Sequence, residues 1–139
     1  MTRKPTSLAV VAGALRDERG RWLMQKRPLG KHHGGLWEFP GGKVEPGETG
    51  EEALVRELNE ELTITVETGD LRHVAQAVAT GDELGRAIVI TLYTVPHWQG
   101  SPVPEPEAEL GWFSAKQIGR LPLPPLDRLL AADLFASAG

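Results

Sequence analysis

Residues 41–64 read "GGKVEPGETGEEALVRELNEELTI" and hold seven glutamates against two basic residues, Lys43 and Arg56. The second half of this stretch is a helix in its own terms. Thr49 suits the N-cap, and Glu52 three positions later completes a capping box. Residues 51–62 contain no Pro or Gly, and strong helix formers dominate. A helix advances about 100° per residue, so Glu57, Glu60 and Glu61, at i, i+3 and i+4, share one face. Val55, Leu58 and Leu62 fall on another side, which can pack on a sheet. Glu48 lies just before the helix. A solvated acidic face intersperses Lys at i+4. This one stacks like charges, each raising its neighbours' pKa, and keeps Arg56 beside them. Hard divalent cations such as Mg²⁺ take carboxylate oxygens and retain several waters.

Around the helix the chain alternates apolar runs and turn chemistry. "SLAVVAGAL" reads as a strand, "DERG" as a turn and "RWLMQKR" as a second strand, so the pair predicts a hairpin. "PLGKHHGG" is a Gly-rich loop, and "LWEFPGG" a short strand stopped by Pro40. "LRHVAQAVAT" and "RAIVITLYTVP" are strands, the second central, with "GDELG" turning between them. "WQGSPVPEPEAE" is an extended loop, "LGWFS" a short strand, "SAKQIGRL" a brief helix and "LDRLLAADLFAS" a C-terminal helix. Strands interleaved with two or three helices predict an α/β (α+β) fold, a mixed β-sheet sandwiched between helices.

The 139 residues suffice for one domain, 1–139, with a sizeable core. A formal net charge of -4 argues against a nucleic-acid polymer as partner. Without cysteine there is no disulfide, thiolate ligand or cysteine nucleophile, which fits a reducing cytoplasm. The N-terminal apolar run is too short for a signal peptide, and no run is long enough to span a membrane. The chain has no P-loop GxxxxGK and no G-x-S-x-G.

Gly42, five residues, Glu48, seven residues, Arg56-Glu57-Leu58, one residue, Glu60-Glu61, then Thr63-Ile64 resembles the Nudix box, GX5EX7REUXEEXGU. Thr63 is the one departure, standing where the family has Gly. "VVAGAL", "KRP", "LWEFPGGK" and "PPLD" extend the resemblance, and they are similar to the MutT-type nucleoside triphosphate pyrophosphohydrolases. The resemblance implies that Glu57, Glu60 and Glu61, with the carbonyl of Gly41, bind Mg²⁺ (or Mn²⁺). Glu57 would also act as general base, with Glu48 and Arg56 orienting the others. The branch uses a further carboxylate on a loop after a central strand. The count from Trp98 reaches Pro106, so Glu105 or Glu107 would serve.

Arg27 stands at the family's phosphate-binding arginine, and a guanidinium fork suits phosphate oxygens. Lys26 would face solvent. Phe39 corresponds to the aromatic wall beside the nucleobase, and Arg86 to a base-contacting arginine. "PPLD" replaces the branch's "PPAN", so Asp127 stands where an asparagine reads the base. An ionised Asp only accepts, whereas Asn also donates. Asp127 equally suits the N-cap of the last helix. His32, His33, His73 and His97 form no spaced ligand set, and the four tryptophans read as packing. The implied substrate is a nucleoside triphosphate such as 8-oxo-dGTP or (d)CTP, cleaved to the monophosphate and pyrophosphate by a monomer or homodimer. The alternatives are a Nudix hydrolase of ADP-ribose, a dinucleoside polyphosphate or capped RNA, and a non-catalytic nucleotide sensor.

Overall fold

The computed structural model describes residues 7–30, 34–80 and 85–138. The turn expected at residues 81–85 lies almost wholly outside these, as do His32 and His33. In chain order come β1 (Ser7–Leu15), β2 (Trp22–Lys26), β3 (Trp37–Glu38), β4 (Gly41–Lys43), α1 (Gly50–Leu62), a 3₁₀ turn (Thr68–Asp70), β5 (Arg72–Ala79), β6 (Ala87–Val95), β7 (Glu109–Phe113), α2 (Ala115–Ile118) and α3 (Pro125–Ala138).

The strands form two sheets, ordered β4-β1-β6-β5 and β3-β2-β7. β1 runs parallel to β6 over its whole length and antiparallel to β4. The expected hairpin of β1 and β2 is therefore not formed. A single bridge, Arg16 to Trp22, joins the two strands, and β2 pairs with β3 and β7 instead. The turn chemistry itself is sound. Asp17 Oδ1 accepts from the N–H groups of Arg19 and Arg21 at 3.0 and 2.8 Å. What the hairpin reading missed is that residues 11–15 are buried on both faces, as befits an interior strand flanked by the antiparallel β4 and the parallel β6.

Alternation splits the core. Val11 and Leu15 of β1, with Tyr93 and Val95 of β6, face α1 and meet Leu54, Leu58 and Leu62. Ala12, Ala14 and Leu92 point the other way, toward α3 and the smaller sheet, among Trp22, Met24, Trp37, Phe39 and Leu130. The mixed sheet thus has helices on both sides, and the second, antiparallel sheet is an addition to the expected architecture. "LWEFPGG" is not one strand but two in different sheets. Pro40 cannot donate to a ladder, and its carbonyl accepts from Gly13 N–H at 2.8 Å as the chain crosses over. The inner row of α1 is Ala53, Leu54, Leu58 and Leu62, with Val55 only half-buried.

Candidate active site

α1 is capped as expected. Thr49 Oγ1 accepts from Glu52 N–H at 3.1 Å, and Glu52 Oε1 accepts from Thr49 N–H at 2.8 Å. Thr63 ends the helix with φ 58° and ψ 30°. Its N–H donates to Asn59 O at 3.0 Å, so a β-branched residue occupies the left-handed position that favours Gly.

Arg56 organises the acidic face. Its Nε and Nη2 donate to the two oxygens of Glu48 at 3.1 and 2.7 Å. Nη1 donates to Glu57 Oε1 at 3.0 Å and Glu60 Oε2 at 3.3 Å, and Nη2 also reaches Lys43 O at 3.0 Å. Hydrogen bonding by Arg56, then by Glu45 N–H, holds the Glu48 carboxyl below its usual range. The bidentate geometry is the strong form of this pairing. It ties the 45–48 loop, β4 and the middle of α1 into one unit.

Glu57 lies directly over β4. A β-carbon on Gly42 would overlap its carboxylate, so Gly42 is needed here for space rather than for backbone freedom. Gly41 pairs with Ala12 one residue earlier in β4. Glu61 is the most perturbed member. Burial, then the charge and hydrogen bonding of Glu57, push its carboxyl up to about 8, with Glu105 and Glu38 adding to the repulsion. Its Oε2 is buried without a hydrogen-bond partner.

The three carboxylates do not already form a cage. Among the described residues no three acidic or imidazole groups are gathered closely enough to enclose one ion. Arg56 draws the exposed Glu60 aside and shares Glu57, while Glu61 stays with Glu57. The donor set nevertheless suits a hard divalent cation. It is all oxygen, and the buried unsatisfied Glu61 oxygen is costly without a positive partner.

A second group of residues lies beside this one. Arg27 Nε donates to Glu38 Oε1 at 2.7 Å, while the backbone of Arg27 closes the loop through Leu36 O and Gly35 N–H. Arg27, Lys26, Pro28, Leu29, Glu107 and Glu109 line a cleft of about 360 Å³. Lys26 is not simply in solvent: it is half-buried, with its ammonium 5.9 Å from the centre of the Trp37 ring. Glu38 escaped the sequence reading. Its signal was there, since a charge between Trp37 and Phe39 in a short strand faces away from the core that both aromatics enter.

Asp127 is 6% exposed, in the first turn of α3. Its Oδ2 accepts from Phe39 N–H at 3.0 Å across the molecule. Burial pushes its carboxyl up to about 7; the Phe39 N–H and Arg27 counter this, and Glu38 reinforces it. The Phe39 ring is 3% exposed in the core. The ring of Phe39 thus packs in the core, and it is the backbone N–H of Phe39 that meets Asp127. Arg86 is half-buried immediately before β6.

The two candidate loop glutamates diverge. Ala108 N–H donates to Glu105 O at 3.0 Å, and Glu107 has φ 68°. With Pro106 second and a left-handed residue third, this is the pattern of a type II turn. Glu105 projects its charge onto Glu61, whereas Glu107 lines the cleft with Arg27.

A NUDIX domain model matches residues 6–134. The chain belongs to the Nudix family. Among Nudix relatives, the CTP pyrophosphohydrolase of Escherichia coli K12 is 37% identical over 117 residues, 84% of each chain. The 8-oxo-dGTP diphosphatase of the same organism is 31% identical over 127 residues, 91% of this chain and 95% of that one. The solution structure of the E. coli ORF135 protein superposes with a TM-score of 0.85 at 34% identity, covering 97% of this chain and 93% of the other. No helix among the described residues is long and apolar enough to cross a membrane.

Proposed function

We propose that this Nudix chain hydrolyses a nucleoside triphosphate to the monophosphate and pyrophosphate, with Mg²⁺ (or Mn²⁺) as cofactor. The observation that carries this is the buried, unpartnered Glu61 oxygen beside Glu57 on a helix braced by Arg56. Glu57, Glu60 and Glu61, with the Gly41 carbonyl, would hold the ion. When bound, it supplies positive charge for the phosphate oxygens and lowers the pKa of water.

The remaining work falls to the chain's own side chains. Glu57, fixed by Arg56 and by the space over Gly42, takes the proton of the attacking water. Glu105, whose charge already reaches Glu61, is the alternative base. Glu48 holds Arg56 in place. Arg27, set by Glu38, binds phosphate oxygens, and Glu107 lines the same cleft. Asp127 and Arg86 face the base. A carboxyl titrating near neutrality both accepts from an amino group and, once protonated, donates to a ring acceptor. Cytosine and oxidised guanine each offer such pairs, and the activities named for two relatives put CTP and 8-oxo-dGTP first. We place the enzyme in the cytoplasm, as a monomer or homodimer.

The test is pyrophosphate release from the common and oxidised nucleoside triphosphates at fixed Mg²⁺, with ADP-ribose and a dinucleoside polyphosphate as outgroups. A triphosphate should give the highest kcat/KM, and Glu57→Gln should lower kcat about 10²–10⁴-fold with the fold intact. A preference for an outgroup would move the substrate class. Nucleotide binding without turnover would make the chain a sensor.

A further inference from the structure

The carboxylates of α1 act only if the helix is set correctly along the sheet. Glu57 sits over Gly42 with no room for a β-carbon, so a small slide of α1 displaces it. Leu54, Leu58 and Leu62 fix how far the helix stands from the sheet. Apolar packing is non-directional and fixes sliding less well. The capping box closes within the helix terminus and ties it to nothing outside. Arg56 ties the middle of the helix to β4 through Lys43 O.

The first turn has its own tie, from the central strand. Tyr93 of β6 lies between Gly13 of β1 and His73 of β5. Its ring is 8% exposed, within the core under α1, with the His73 ring edge-on at 6.0 Å. Its hydroxyl donates to Glu51 Oε1 at 2.7 Å. Gly50 makes this approach feasible, because a β-carbon there would lie 2.7 Å from Tyr93 Oη. Burial, then Glu51, pushes the Tyr93 phenol up to about 12, so it remains a donor throughout the working range.

We propose that Tyr93 is a positioning residue, whose hydroxyl, donated to Glu51 beside Gly50, sets α1 along β6 and thereby spaces Glu57, Glu60 and Glu61. This rests on the metal-binding role given to those residues under the proposed function. Tyr93 touches neither substrate nor metal; it acts through the helix.

The test compares Tyr93→Phe, Glu51→Ala, Glu51→Gln and the double variant Y93F/E51A. Mn²⁺ affinity without nucleotide is read from the free-ion paramagnetic resonance signal, alongside kcat, KM and Tm. Tyr93→Phe and Glu51→Ala should each weaken Mn²⁺ binding about tenfold and lower kcat by a similar factor, as lost outer contacts to a metal site do. KM for the nucleotide should stay within about twofold, because the phosphate and base contacts lie elsewhere. The double variant should be no worse than either single one. Glu51→Gln still accepts from the hydroxyl and should restore both readouts. Wild-type Mn²⁺ affinity and kcat in Tyr93→Phe would overturn the proposal, as would a Glu51→Gln as damaged as Glu51→Ala. Should Tyr93→Phe not fold, Glu51→Ala against Glu51→Gln decides alone. A wild-type protein that binds no Mn²⁺ would overturn the metal reading itself, a result distinct from a clamp that fails in a working enzyme.

Discussion

Two carboxyl groups here hold their protons unusually tightly, and that has a thermodynamic consequence. Asp127 and Glu61 are pushed up to about 7 and about 8 from ordinary values of 3.8 and 4.5. The folded chain therefore binds more protons than the unfolded one between those limits, and stability falls as pH rises through the window. Glu48 is lowered and acts in the opposite sense, but its contribution is lost only on the acid side of 4.5. In chelator, Tm should drop from pH 5 to pH 8, and the double variant Asp127→Asn/Glu61→Gln should flatten the slope. A wild-type Tm that is level or rises over that range contradicts the assignment. Thr63 carries a different strain. Left-handed backbone costs a non-glycine residue about 1–2 kcal/mol, and Thr63 stands at φ 58°. Thr63→Gly relieves it, offset in part by the greater freedom of Gly in the unfolded chain. A Tm gain of about 1–4 °C is expected in a melting curve; a loss would show that the Thr63 hydroxyl bond to Leu62 O, 2.6 Å, matters more.

At the scale of elements, Arg56 connects a loop, a strand and a helix, and it does so with a fork. Nε and Nη2 grip both oxygens of Glu48 while Nη2 also holds Lys43 O. Lysine has the charge but not the fork. Arg56→Lys should therefore cost about 1–3 kcal/mol in denaturant unfolding and lower kcat at least about tenfold. If Arg56→Lys melted and turned over like wild type, Arg56 would be no more than a surface charge. Leu58→Ala tests the other side of the helix. Leu58 is fully buried, and its truncation should cost about 2–5 kcal/mol, with Tm falling well before activity per folded molecule does.

Over the whole molecule, what could be read from the sequence divides along a physical line. α1 was legible because its information is local: a capping box, an unbroken run of helix formers and a fixed angular step put three glutamates on one face. Val55 misled only because the inner row is centred on Leu54 and Leu58. Strand pairing is non-local, so the division into two sheets was not legible. The "DERG" turn was real, yet two-sided burial moved β1 between β4 and β6. The contact of Phe39 N–H with Asp127 spans 88 positions, and no local pattern reports it. Glu38 was legible by alternation but overshadowed by its aromatic neighbours.

The proposed cation binding has its own dependence on pH. As a proposed ligand, Glu61 would have to lose a proton to bind the ion, so on this reading Mg²⁺ should raise Tm more at pH 8 than at pH 5.5. The most direct measurement is calorimetric titration of Mg²⁺ into the metal-free protein at pH 8, beside Glu57→Gln/Glu61→Gln. Saturable binding to the wild type, abolished in the variant while its fold is retained, is the expected result. Equal heats in the two proteins, or none in the wild type, would contradict the claim that the acidic face of α1 exists to hold a divalent cation.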